Sequence, residues 1–554
     1  AVDTDANAPA GSTLVVATIG NVGYASLAEA VAAVPTNGET ATTITLVGSA
    51  DTIMGGGVKV ESWQKIIFDL NGKTYDVLTT VGSSGTETNG FQLLRDSEVT
   101  FRNGSLKSSA TNCRILIQNY STLTLEDVTL NASASSAVQY VVSNNFGSMT
   151  AKGDTDIIAR DGWYAFDVYY GLSSIYADGV TVTFDDSFTG DVSGKVDYSH
   201  GNYIEEDWED KASLSISGNG NFDISISSYS NTAPADANIS VSSGNFTSAF
   251  DLEYLADGNS LYVNDSGETR TYSVSASGGE NAVTIVSNGV GYVNEEEAGK
   301  DLAAIIGSNG YDTLSAAISA AQNGDTVKLI ANATESATIV INKAITLDLN
   351  GYDVTVTDPD TTYAISVVSS DVTITNTSAT EASTVTGKIA INIGNYAGST
   401  YYDNIKVSNV EFDTTGTRAV QVQYAGVEFD NVTVDVVKND QSGAVEAVAI
   451  FYSSNVTFKN STISLEYTCG ETNAAGEAIT SENRPQGTAV YSDDSNLTLD
   501  NTTVETTDYG IAFVGGMTKD EVLAAAEDHS GYNTLKITNN SSVTVTAVEE
   551  EELV

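Results

Sequence analysis

Val427-Glu428-Phe429-Asp430-Asn431-Val432-Thr433-Val434 is answered downstream by Val456-Thr457-Phe458-Lys459-Asn460-Ser461-Thr462-Ile463. Both phrases read apolar, polar, apolar, polar, Asn, two variable positions, apolar. The pattern recurs at 405–412, at 497–504 and, with Asp127 in the Asn position, at 123–130; Val99-Thr100-Phe101-Arg102-Asn103 is a shortened copy. Its first half alternates with period two, as a strand with one buried face must. The Asn falls where the alternation breaks. Asn tolerates the left-handed backbone region and bonds its own backbone, so it suits a corner. Copies begin 24 residues apart (Val99 to Leu123), 22 apart (Ile405 to Val427) and 29 apart (Val427 to Val456). That spacing predicts one strand-corner-strand coil per copy, stacked in parallel on the next. The wider gap from Val456 to Leu497 predicts an inserted loop over 471–486.

A coarser repeat frames the finer one. Tyr24-Ala25-Ser26-Leu27, then Thr43-Ile44-Thr45-Leu46, then Phe68-Asp69-Leu70-Asn71-Gly72 is matched by a second series. That series is Tyr311-Asp312-Thr313-Leu314, then Thr326-Val327-Lys328-Leu329, then Leu347-Asp348-Leu349-Asn350-Gly351. In each, a short amphipathic helix is expected before the strands. Leu27, Ala30, Val31 and Val34 would form the buried face of the first, and Leu314, Ala317, Ile318 and Ala321 that of the second. Such a helix covers the open end of a stack and blocks edge pairing. The expected organisation is a polar leader 1–12, a first domain 13–270, a junction 271–304, a second domain 305–548 and an acidic tail 549–554. A strand is expected over 12–17, a short helix near 303–305, and a C-terminal helix over 518–527.

The composition agrees with an all-β chain. Of 554 residues, 41% are hydrophobic and 17% charged, which excludes a wholly disordered chain. Proline is scarce at 5 residues, while Gly, Asn and Asp supply turns. With 73 acidic against 23 basic residues the net charge is −50. A surface of that sign repels nucleic acid and anionic membranes. No apolar run approaches the ~18 residues needed to cross a bilayer, so membrane insertion is not expected. Stacked carboxylates are candidate Ca²⁺ ligands; no other cofactor is expected. The two cysteines, Cys113 and Cys469, and the two histidines have no zinc or haem spacing. Both thiols are expected unpaired and largely buried. The opening Ala1-Val2-Asp3-Thr4-Asp5 reads as a mature terminus left by signal-peptide removal, and so as an extracellular or cell-surface protein. Sequons, Asn103, Asn431, Asn460 and Asn501 among them, mostly coincide with the corner Asn, and turn geometry accounts for them.

The Tyr-x-[Ser/Thr]-Leu-x-x-Ala-[Ile/Val] phrase, followed by Thr-[Ile/Val]-x-Leu and Asp-Leu-Asn-Gly, resembles the opening of right-handed parallel β-helix domains of the pectate-lyase-like fold. Such domains occur in secreted and surface proteins of Gram-positive-type bacteria. Gly244-Asn245-Phe246 through Tyr254-Leu255-Ala256-Asp257-Gly258 is similar to the segment that often closes them. The resemblance implies two tandem β-helix solenoids, about ten coils each, each opened by a short capping helix. Its motifs are architectural and carry no chemistry. Polysaccharide hydrolases on that fold need converging carboxylates, and lyases need carboxylates with an Arg or Lys base. Neither series is present, so a non-enzymatic protein is expected.

Two segments depart from the strand pattern. The run 160–170 places Trp163, Tyr164, Tyr169 and Tyr170 beside carboxylates, a mixture able to stack on sugars and bond their hydroxyls; an aromatic rung stack inside the solenoid, with outward Tyr completing the face, is the favoured explanation. The loop through Tyr203 and Trp208 reads as an exposed excursion. Tyr401 and Tyr402 form a weaker patch in the second half. For self-association, the expected joining edges are the strands of Leu14 and Val16 and of Val543 and Val545. The expected function is a rigid acidic rod acting as a surface-layer, filament or adhesin subunit. Its partners would be further copies of itself or a cell-surface glycan or protein. The alternative is a polysaccharide-binding or polysaccharide-cleaving protein of the same fold.

Overall fold

The computed structural model describes residues 14–170, 179–200, 211–227, 237–267, 269–395, 400–480, 482–514 and 534–546, the side chains of His200 and Asp440 excepted. The leader 1–12, the helix expected at 518–527 and the tail 549–554 lie outside these residues, as do Tyr203 and Trp208. Strands hold 54% of the chain and helices 4%, so the protein is all-β, with parallel sheets. It divides into two compact units, Ala1–Val293 and Asn294–Val554.

The fine repeat of the sequence is the register of the sheets. Val99 pairs with Leu123, Ile405 with Val427, Val427 with Val456 and Val456 with Leu497, all in parallel. Each copy of the phrase therefore lies directly on the previous one, 41 residues on in the last case as readily as 22 in the second. In the first unit one file of inward side chains runs Ile44, Phe68, Phe101, Leu125, Ala151, Phe184, Ile216, Val241, each opposite the next. All eight are buried. The matching file of the second unit is Val327, Leu347, Ile374, Val407, Phe429, Phe458, Leu499, Ile537. Each unit therefore has eight rungs in this file among the described residues, fewer than the ten expected. Aromatics that follow one another in a file stack: Phe68 on Phe101 at 4.8 Å and Phe429 on Phe458 at 4.6 Å between centroids.

The corner residues take the predicted backbone. Asn103, Asn409, Asn431, Asn460 and Asn501 have φ between 51° and 60°, and Asp127, which stands in the same place, has φ 50°. The side chains form their own file. Asn431 Nδ2 donates to Asn409 Oδ1 (2.9 Å) and Asn501 Nδ2 to Asn460 Oδ1 (2.8 Å). Left-handed geometry costs a non-glycine residue about 1–2 kcal/mol; these bonds offset part of it.

Both capping helices form where the coarse repeat places them. Ser26 caps Leu27–Ala32, its hydroxyl accepting from Glu29 N–H at 3.1 Å, and Thr313 caps Leu314–Ala320 in the same way through Ala316 N–H. All eight residues of the two predicted apolar faces are buried. At the far end of the first unit, the hairpin of Asn259–Asp265 and Arg270–Ala276 pairs antiparallel with Gly244–Phe246. An antiparallel hairpin ends the run of parallel pairing there.

Three expectations need correction. The first strand is Ala17–Ile19, downstream of 12–17, because it pairs antiparallel with both Val22–Tyr24 and Thr42–Leu46. The segment near 303–305 is a strand, Ala304–Ile306, paired with Asn309–Tyr311, since β-branched residues before Gly307 favour a hairpin. The helix of this region is instead Glu295–Ala298: Asn294 Oδ1 accepts Glu297 N–H at 2.8 Å, and three glutamates sit in its positive first turn. Finally, Cys113 is buried, but Cys469 is only half-buried; neither is in a disulfide. Burial pushes the Cys113 thiol up.

Candidate functional site

Segment 160–170 becomes the strand Tyr164–Tyr170, on a sheet that also holds Asn89–Leu93, Ile115–Asn119, Tyr140–Ser143 and the second part of Asp191–His200. Alternation then sorts the aromatics. Tyr170 is buried in the core beside Phe146. Tyr164 lies half-buried, its ring stacked on Tyr140 at 4.6 Å and 7°. Tyr169 is half-buried and meets Phe146 edge-on. Trp163 precedes the strand, and the Arg160 guanidinium lies over its ring at 4.8 Å. One face of that indole is therefore occupied.

The register also creates a cluster that the sequence order hides. Gln92, Gln118, Ser143, Asp167 and Asp197 follow one another on five successive strands. Asp167 and Asp197 are paired directly, at the inter-strand spacing of about 4.8 Å. They alternate with the core residues Phe166, Val168, Val196 and Tyr198, yet are only 5% and 4% exposed. Asp167 Oδ2 accepts from Ser143 Oγ (2.8 Å), its Oδ1 accepts Asn144 N–H, and Asp197 Oδ2 accepts from Tyr140 OH (3.2 Å). Two buried carboxylates at this separation resist ionising together. Burial pushes the Asp167 carboxyl up to about 7, with the Asp197 charge adding to the rise against the bonds from Ser143 and Asn144. The Tyr140 phenol is pushed up by burial first and then by the two carboxylates. Ser199 Oγ, two residues along from Asp197, is buried without a partner.

Chemically this arrangement favours the protonated form of the Asp167 carboxyl well above the usual carboxylate range. Neither carboxylate lines the cavities of about 580 and 630 Å³ in this unit. The signal that could have found the pair is a 30-residue offset, the length of one coil, between two acidic residues in aromatic surroundings. Among the described residues no group of three or more His, Cys, Asp or Glu is arranged to hold a metal ion, and no helix is long and apolar enough to cross a membrane.

In the second unit Tyr401 is 41% exposed and its hydroxyl accepts from Asn455 Nδ2 at 2.9 Å; burial of the rest of the ring pushes its phenol up. Tyr402 packs against the core. Of the four edge residues, Leu14 is 53% exposed, whereas Val16 donates its N–H to Tyr24 and accepts from Val47 N–H. Val543 and Val545 are exposed on Ser542–Val545, the last strand of an eight-stranded parallel sheet. Leu535 and Ile537 on the neighbouring last rung are 41% and 48% exposed. No family model matches this chain, and no curated protein matches it.

Proposed function

We propose that each unit is a right-handed parallel β-helix, akin to the pectate-lyase-like domains of secreted and surface proteins, and that the chain is a non-enzymatic extracellular scaffold: a surface-layer, filament or adhesin subunit. The observation that carries this reading is the unbroken register. Eight rungs in each unit place Val, Ile, Leu, Phe or, once, Ala on the residue below, and two corner pairs make the same Asn–Asn bond. Parallel stacking in register builds stiffness and length from nearest-neighbour contacts alone. The charge of −50 supports a solvated exterior.

Self-association is favoured by the last rung of the second unit. Leu535, Ile537, Val543 and Val545 continue the inward files of Leu497, Leu499, Val504 and Thr506, yet are exposed on strands at the end of their sheets. Such an edge is a template for another chain. Electron microscopy of the purified protein at neutral pH, with and without Ca²⁺, tests the reading. Ordered polymers are expected. Monomers under every ionic condition, together with a blank glycan array, would remove both the assembly and the adhesin forms of it.

A further inference from the structure

We propose that a trough along one corner of the first unit, from Trp63 past Asp96 and Tyr120 to Phe146, binds a neutral saccharide chain; the proposal rests on the adhesin form of the reading above. These four residues occupy the same place on successive rungs. Each lies two positions before a residue of one paired file, Lys65, Glu98, Thr122 and Ser148. The trough therefore spans three inter-strand spacings, about 14 Å, long enough for several pyranose rings. Two cavities make it up. One of about 630 Å³ is lined by Trp63, Asn37, Lys65 and Glu98. The other, of about 270 Å³, is lined by Tyr120, Phe146 and Arg95. Asp96 and Thr122 belong to both, so the two join.

Trp63 is the unusual element. Its φ of 69° is the corner geometry that Asp96 (64°) and Phe146 (65°) repeat on later rungs, but it is 62% exposed. Folding gains little from an indole so placed. The surroundings nevertheless hold it there. Trp63 N–H donates to Asp96 O at 3.2 Å. The next residue, Gln64, is 2% exposed; its amide donates to the carbonyls of Val31 and Val34 at the end of the capping helix, and its Oε1 accepts Glu61 N–H. The four-residue turn 61–64 is locked to the helix, and the indole is held in solvent.

An indole face beside amide, carboxylate, ammonium and hydroxyl groups is the chemistry of sugar recognition. The ring covers the C–H face of a pyranose while the polar groups bond its hydroxyls. Further aromatic rings, Tyr120 and Phe146, lie along the same line. The cations of the trough are already paired, Lys65 with Glu98 at 2.7 Å and Arg95 with Asp96 at 3.7 Å. In a chain of charge −50 such a site disfavours uronate chains and nucleic acid, and selects neutral sugars. Trp163, with Arg160 over its ring, lacks this freedom.

The test is calorimetric titration of the full chain with cellohexaose, mannohexaose, xylohexaose, chitohexaose and hexagalacturonate, followed by a glycan array. At least one neutral hexasaccharide should saturate a single site and quench tryptophan emission, with hexagalacturonate inert. Trp63→Ala should weaken binding at least tenfold with an unchanged melting curve, Trp63→Phe should restore part of it, and Asp96→Asn should weaken it severalfold. Undiminished binding by Trp63→Ala would overturn this site while leaving the adhesin reading standing. Failure of the wild-type chain to bind any hexasaccharide or array glycan would overturn both.

Discussion

Replacing Asp167 by Asn removes a carboxyl that the fold holds protonated, and the gain in stability should grow with pH. In the unfolded chain the group ionises near 3.8; in the folded protein it keeps its proton up to about 7. Between those values the folded state binds the extra proton, so wild-type stability falls as pH rises through the window. Below pH 3.8 both states are protonated and the penalty vanishes. The full difference, from 3.8 to about 7, corresponds to about 4 kcal/mol above pH 7. Asn keeps the shape, can accept Asn144 N–H through its oxygen and can donate to Ser143 Oγ. In a unit of this size each kcal/mol moves Tm by about 2–4 °C. Calorimetry of wild type and Asp167→Asn should therefore show the first-unit transitions nearly coincident at pH 4 and separated by about 8–16 °C at pH 8, the variant higher. Asp197→Asn removes the like charge and should move the wild-type window to lower pH. An offset between wild type and Asp167→Asn that is the same at both pH values, or an Asn variant less stable at pH 8, would refute the reasoning.

Asn431→Ala loses both the left-handed tolerance and the bond to Asn409, and should cost about 1–2 kcal/mol in urea unfolding of the second unit, with Asn431→Gly recovering the backbone part. Phe429→Ala deletes a buried ring stacked on Phe458 and should cost about 3–5 kcal/mol, lowering the second-unit transition and leaving the first unmoved. Val543 stands on the last rung over buried Val504 at 38% exposure, so Val543→Lys should cost about 1 kcal/mol, well short of a core truncation. If that edge joins copies, the same variant should abolish polymers under the electron microscope.

Local rules made most of the architecture legible. Period-two alternation ending in Asn gave the strands, the corners and their pairing partners, because stacking in register repeats the same environment at every rung. The helix caps were legible for the same reason: Ser26 and Thr313 each precede an apolar face that needs covering. The hairpin at Ala304–Ile306 was misread because a short apolar run has no period of its own, and the choice between helix and strand fell to pairing with Thr326–Leu329. The buried carboxylates were hidden for another reason. Asp167 and Asp197 are 30 residues apart, and only the loop lengths of their coil bring them opposite each other. Trp63 was passed over because nothing in its neighbours signals exposure; its position depends on Gln64 reaching back to Val31 and Val34, a contact made across some thirty residues.

Pairing of Val456 with Leu497, 41 residues away, is as regular as that of Ile405 with Val427, 22 away. The chain thus separates two kinds of length. Deleting one residue within Asn455–Lys459 would turn Phe458 to solvent and carry every later side chain of the strand with it. Residues added at the 471–486 loop change nothing in the ladder, and each doubling of a loop costs only about 0.6 kcal/mol in closure entropy. The molecule can therefore carry foreign peptides as addressed cargo, each fixed to a known rung and projecting from a chosen corner, with the spacing between them set by counting coils.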